Sequence, residues 1–252
     1  MGKIIAVTNQ KGGVGKTTST VNLAASLATM NRKVLLIDLD PQGNATMASG
    51  VNKYELDGSI NDVLLGKKPA AELVRGSSNV YDILPANGDL TEAEVNLFQQ
   101  TDREYALKNA LAPLKPRYDF MLIDCPPTLN MLTINSLVAA DSVIIPMQCE
   151  YYALEGLSSL LDTIRSLQDV ANPTLQIEGL LRTMYDTRNR LATDVSKELL
   201  THFGDKVFRT VIPRNVRLAE APSYGQAAIQ YDRSSQGALA YIALAGELLR
   251  RQ

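Results

Sequence analysis
The sequence has 252 residues, of which 45% are hydrophobic, and its 25 Lys and Arg against 27 Asp and Glu give a formal net charge of −2. That balance excludes a basic coat over the whole surface, so any nucleic-acid contact has to come from a local patch. Two cysteines, Cys125 and Cys149, and one histidine, His202, exclude a disulfide framework and a multi-histidine metal centre. No apolar run approaches the ~18 residues of a membrane span, and the start Met1-Gly2-Lys3-Ile4 has too short an apolar stretch for a signal peptide, so the expectation is a soluble cytoplasmic protein.

The first element is the apolar run Ile4-Ile5-Ala6-Val7, a buried strand, and a helical pattern covers residues 16–30. Between them lies Gln10-Lys11-Gly12-Gly13-Val14-Gly15-Lys16-Thr17-Thr18, which has the composition of a backbone cradle for phosphate. Its glycines let successive N–H groups point into one concavity, and the helix that follows adds unpaired N-terminal N–H groups and a positive dipole end. Lys16 can place a charge on the outer phosphates, and the Thr17 hydroxyl can ligate Mg2+.

Residues 33–40, Lys-Val-Leu-Leu-Ile-Asp-Leu-Asp, read as a buried parallel strand that breaks at Pro41-Gln42-Gly43-Asn44. Asp38 and Asp40 therefore fall at the carboxyl end of a strand, where open α/β sheets hold their ligands. Ile60 to Leu65 predicts a short helix and Val80 to Pro85 a strand. Thr91-Glu92-Ala93-Glu94 matches a capping box, and a helical stretch over 102–114 carries Tyr105, Leu107, Ala110, Leu111 and Leu114 on one face. A second apolar strand ending in an aspartate, Phe120-Met121-Leu122-Ile123-Asp124, supplies the carboxylate that a phosphate-bound Mg2+ needs. Cys125 after it reads as a buried filler.

Ser142 to Met147 is the next strand, and Leu157, Leu160, Leu161, Ile164 and Leu167 mark a helix with one apolar stripe. A strand over 177–185, a helix over 189–203, a strand over 207–212 and a final helix over 236–250 complete the chain. His202 is expected on a helix surface. Strands alternate with helices and no linker or repeat interrupts them, which predicts a single α/β domain spanning 1–252, with a mostly parallel sheet flanked by helices.

The loop departs from Gly-x-x-x-x-Gly-Lys-Thr, because Gln10 stands where the first glycine belongs and Lys11 is an additional lysine. In this form it resembles the deviant Walker A loop of the ParA/MinD group of P-loop ATPases. The segments Glu150-Tyr151-Tyr152-Ala153-Leu154-Glu155-Gly156 and Pro213 to Ser223 are similar to the chromosome-partition branch, the short ParA proteins often called Soj. With the loop about ten residues from the start, the expectation is the short form, without the N-terminal helix-turn-helix of the longer ParA type. The resemblance covers essentially the whole chain and implies ATP and Mg2+ as cofactors. ATP would be held by residues 11–18, with Pro213 and Asn215 beside the adenine. Thr17 and Asp124 would hold the metal with Asp38 near it, and Asp40 would orient the attacking water. Lys11 would reach across an ATP-dependent homodimer to the partner's nucleotide, close to Gly12, so that Lys11, Lys16 and Asp40 form the catalytic set.

The resemblance further implies non-specific binding of double-stranded DNA through Arg188 and Arg217, a nucleoid location, and a ParB-type centromere-binding partner that triggers hydrolysis. Local charge agrees, since residues 182–217 hold eight basic residues (Arg182, Arg188, Arg190, Lys197, Lys206, Arg209, Arg214, Arg217) against four acidic ones. A MinD-like membrane-cycling ATPase is the alternative. The C-terminal run of Leu239, Ile242, Leu244, Leu248 and Leu249 lacks the aromatic anchors and basic face of an interfacial helix, so it is expected to pack on the domain, without stable membrane association. Neither cysteine has the context of an iron–sulfur protein that shares this loop.

Overall fold
The computed structural model describes residues 2–252. Its strands are β1 (Lys3–Val7), β2 (Val34–Asp38), β3 (Arg75–Gly76), β4 (Asp82–Leu84), β5 (Phe120–Asp124), β6 (Ser142–Gln148) and β7 (Gln176–Thr183). They form one sheet in the order β3-β4-β2-β5-β1-β6-β7. All pairings are parallel except the short antiparallel edge of β3 on β4. β1, β2 and β5 are almost wholly buried because helices cover both faces, which is why they appear in the sequence as unbroken apolar runs. Alternate residues serve opposite sides: Ile4 and Ala6 enter one core, Ile5 and Val7 the other.

The helices are α1 (Lys16–Thr29), α2 (Asn44–Ala48), α3 (Ile60–Leu64), α4 (Ala70–Leu73), α5 (Leu90–Leu97), α6 (Ala106–Leu111), α7 (Met131–Ala139), α8 (Ala153–Val170), α9 (Arg190–Phe203), α10 (Val216–Glu220), α11 (Ala228–Tyr231) and α12 (Gln236–Arg250). α3 to α9 pack on one face, and α1, α2 and α10 to α12 on the other. α12 lies on α1, buries Ala238, Tyr241, Leu244, Ala245 and Leu248, and places the Tyr241 hydroxyl 3.0 Å from Ser19 Oγ. Among the described residues no helix is long and apolar enough to cross a membrane.

Three expectations need correction. Residues 207–212 are not a strand: only single bridges, Leu180 to Val207 and Tyr185 to Pro213, tie this part of the chain to the edge of β7. The amides of Arg209 and Thr210 bond the buried Glu247 carboxylate at 2.8 and 2.9 Å, so they are spent on a side chain instead of a ladder. No capping box forms at Thr91, because α5 has already begun at Leu90 and Glu94 accepts from Asn130 Nδ2. The capping box is at Ser59, whose hydroxyl and Asp62 close the first turn of α3 reciprocally. The 102–114 stretch is divided into a 3-10 turn at Arg103–Tyr105 and α6, and α7, which follows an Asn130 cap, was not foreseen.

Candidate nucleotide site
The sheet order puts β1 between β5 and β6, so the loop after β1 emerges at the carboxyl ends of the central strands. Gly13 and Gly15 adopt φ of 74° and 88°, a left-handed region open to glycine, and Gly15 stands at the N-cap of α1. Neither a side-chain cap nor an acidic residue occupies the first turn of α1, which leaves its N–H groups aimed at the cradle. The Thr183 hydroxyl, from the end of β7, braces the loop by donating to the Val14 carbonyl at 2.7 Å. Lys16 is buried, and its ammonium bonds the Lys11 carbonyl at 3.2 Å. Burial lowers its pKa, while Asp124, Cys125 and Asp40 pull the other way.

Val7, Asp38 and Asp124 share one register row, so the two strand-terminal aspartates stand side by side at the mouth of the loop. Asp124 accepts from Thr17 Oγ1 at 2.8 Å and from Thr20 Oγ1 at 3.1 Å. Asp38 is engaged on both oxygens, by the Asp40 amide at 3.2 Å and by the Thr46 amide and hydroxyl at 2.8 and 2.7 Å. Burial raises the pKa of both carboxyls, and Asp38 raises that of Asp124 further. Asp40, also buried, accepts from the Gln42 amide at 2.9 Å.

Thr17 and Asp124 present hydroxyl and carboxylate oxygens, the hard donors that Mg2+ takes. Among the described residues no group of three or more His, Cys, Asp and Glu could hold a metal by itself. A cation here would therefore complete its shell from phosphate oxygens and water, as a nucleotide-borne Mg2+ does. Beside the loop, a cavity of about 190 Å³ is lined by Gly13, Gly15 and Thr18, by Thr183, Met184 and Tyr241, and by Ile212, Pro213 and Asn215. Pro213 and Asn215 thus meet the cradle from the far end of the sequence.

A family model described as an AAA domain matches residues 2–177. The chain is 51% identical over 249 residues to the sporulation initiation inhibitor protein Soj of Bacillus subtilis, covering 98% of each chain. It is 50% identical to the chromosome partitioning protein ParA of Myxococcus xanthus, covering 100% of this chain and 89% of the relative. The chain belongs to the ParA/Soj family of ATPases. A solved structure named cobyrinic acid a,c-diamide synthase, from Mycobacterium smegmatis with a bound ATP analog and magnesium, superposes with a TM-score of 0.88 at 39% identity, covering 100% of this chain and 96% of that one. As an ATPase of this family, the protein uses ATP and Mg2+ as its cofactors.

Other residues singled out in this ParA/Soj-type chain lie around the cradle. The Lys11 ammonium pairs with the Glu150 carboxylate of its own chain, both about half exposed. Arg188 makes a two-pronged pair with Asp186 at 2.9 and 2.8 Å, and Arg217 pairs with Glu220 at 2.8 Å and Asp232 at 3.4 Å. The bridge from Tyr185 to Pro213 brings the stretches that carry Arg188 and Arg217 together, and Arg214 is near enough to Asp186 to help lower its pKa. Arg182 does not belong with these surface cations: it is buried and bonds Ser196 and the Phe208 and Arg209 carbonyls. Cys125 and Cys149 are buried free thiols, pushed up by burial to about 12 and about 11. His202 is exposed on α9 beside Glu198.

Sequence reasoning missed Thr20, Thr46, Thr183 and Glu150. Thr20 and Thr46 each follow a recognised motif by a few residues, a signal that could have found them. Thr183 and Glu150 act over more than 130 residues of chain and leave no local mark.

Proposed function
We propose that this protein is a nucleotide-switched partition ATPase: two ATP-bound protomers form a sandwich dimer, the dimer binds DNA without sequence preference, and a ParB-type partner stimulates hydrolysis and release. The observation that carries this reading is Gly12. A Cβ built there meets nothing within 4 Å, and its φ is not among the positive ones, so nothing inside the chain requires glycine. A close approach from outside would favour it, and the Lys11 ammonium beside it is held by an exposed carboxylate. Both features support a second copy docking over the loop, with Lys11 turning from Glu150 to that copy's phosphates.

Within one protomer, residues 11–18 bind the phosphates, Lys16 neutralises them from its buried position, and Pro213 and Asn215 border the base. When bound, Mg2+ would be held by Thr17 and Asp124, and it supplies charge neutralisation at the transferring phosphoryl group. Asp38 holds the first turn of α2 through Thr46, and its charge lies next to that metal position. Asp40 orients the attacking water. The neighbouring stretches with Arg188, Arg214 and Arg217 support a phosphate-binding surface in which DNA displaces the local carboxylates.

The relatives named for chromosome partitioning, at 50% and 49% identity, share more with this chain than the diamide synthase does at 39%, which favours partition over amide synthesis. The membrane-cycling alternative needs an apolar face free on α12, whereas that helix spends its face on α1. Sedimentation velocity with ADP or ATP, each with and without non-specific duplex DNA, tests the proposal. ATP-dependent dimers that shift onto DNA are expected; a monomer under all four conditions overturns it.

A further inference from the structure
Residues 208–212 lead into Ile212, Pro213 and Asn215, which line the cavity beside the loop, yet they have almost no ladder to hold them. Their backbone bonds to the sheet edge are Phe208 N to Leu180 O at 3.0 Å and Ile212 N to Arg182 O at 2.9 Å, with Tyr185 N returning to Ile212 O at 2.9 Å. Two buried side chains do the rest. The Arg182 guanidinium donates to the Phe208 carbonyl at 2.8 Å and the Arg209 carbonyl at 3.2 Å. From the opposite side the Glu247 carboxylate accepts the Arg209 and Thr210 amides at 2.8 and 2.9 Å.

Arg182 is only 7% exposed and has no carboxylate among its partners. Its other contacts are Ser196 Oγ at 2.8 Å and the Tyr185 ring at 5.8 Å, and its Nε has no partner. A buried cation compensated by neutral dipoles is an expensive way to fasten one loop. Glu247 has Arg251 at 2.8 Å, so the two gripping charges are satisfied separately and do not neutralise each other through a direct bond. The placement accounts for the arrangement. Arg182 immediately precedes Thr183 and Met184, and the carbonyls it holds lead into Ile212, Pro213 and Asn215; both groups line the cavity and are joined by backbone bonds between Arg182, Tyr185 and Ile212.

We infer that Arg182 is the positioning residue of the nucleotide's base pocket. Its guanidinium, by holding the Phe208 and Arg209 carbonyls, keeps the 212–215 loop seated against the end of β7, and so governs affinity for the base more than for the phosphates, whose loop is braced by the Thr183 hydroxyl and not by the guanidinium. This rests on the reading of that cavity as the base site. Nothing in Arg182 touches nucleotide, and its effect passes entirely through the loop.

Titration calorimetry of the full chain with Mg-ATP, Mg-GTP and Mg-tripolyphosphate, for wild type, Arg182→Gln and Arg182→Lys, tests it. For Arg182→Gln the ATP Kd should rise roughly tenfold, the scale of one charge-assisted hydrogen bond. Tripolyphosphate affinity should stay within about twofold, and the preference for ATP over GTP should narrow as the wall loosens. Arg182→Lys, which can still reach one carbonyl, should fall between. Equal losses for ATP and tripolyphosphate, no loss for either, or failure of both variants to fold would overturn the inference in favour of a purely structural role. Wild type binding tripolyphosphate as tightly as ATP would instead remove the base-site reading, and the inference with it.

Discussion

Asp38 and Asp124 face each other in register at the ends of β2 and β5, two wholly buried carboxyls whose pKa values are both raised, first of all by burial. A carboxyl raised in the folded state keeps its proton where the unfolded chain has lost it. Stability therefore falls as pH climbs from the ordinary carboxylate range near ~4 through the folded values. Nucleotide-free protein should melt at least about 3 °C higher at about pH 5.5 than at about pH 8, the equivalent of roughly one pKa unit. Mg2+ with ADP should narrow the gap, and Asp124→Asn should flatten it. Melting curves by circular dichroism would show it; a melting temperature that rises with pH across this window would refute it.

Lys11 and Glu150 form an exposed pair, and such pairs contribute less than ~1 kcal/mol. Leaving that pair is therefore easy. Lys11→Ala should shift the melting temperature by no more than about 3 °C and leave monomer affinity for ATP within roughly threefold, while abolishing ATP-dependent dimers and hydrolysis. Light scattering with ATP decides the matter: normal dimers in the variant would end the assignment of Lys11 to the partner's nucleotide.

Lys16 is the buried cation at the cradle, with its ammonium on the Lys11 carbonyl. Removing it leaves phosphate charge uncompensated in a water-poor site, so Lys16→Ala should weaken ATP binding by more than about 100-fold, close to 3 kcal/mol. Wild-type affinity in calorimetry would be incompatible with that placement.

Among the described residues the Asp40 carboxylate accepts one hydrogen bond, from the Gln42 amide, and none from Thr17 or Lys16. Orienting water matters to the transition state and not to the ground state, so Asp40→Ala should bind Mg-ATP normally and turn over at least about 100-fold more slowly. The variant should accumulate as a dimer. Unchanged phosphate release would move the role to another group.

Arg188 and Arg217 each carry a local carboxylate, on stretches joined through Tyr185 and Pro213. In a two-fold dimer they would offer up to four phosphate contacts, and each lost contact lowers the slope of log K against log salt by roughly 0.9. The Arg188→Glu, Arg217→Glu protein should lose about 3.6 of that slope, equally on random and AT-rich duplexes, while keeping dimerisation and basal hydrolysis. Fluorescence anisotropy across a salt series measures it, and an unaltered slope would discard both arginines.

Legible in the sequence alone are the glycine-rich loop, the strands that frame it and the two strand-terminal aspartates. Each depends on neighbours in the chain: a glycine pattern, an apolar run, a carboxylate where the run stops. Which of the later residues face inward depends on how distant segments pack. Residues 207–212 have the composition of a strand, but Glu247 takes their amides and Arg182 their carbonyls, from 25 to 40 residues away in the chain. Arg182 looks like its basic neighbours in composition, and it is buried because β7 ends against that segment. Lys11 and Glu150 meet across 139 residues because β1 lies beside β6 in the sheet. Strand order brings such side chains to one another's backbone groups, and periodicity along the chain carries no record of strand order.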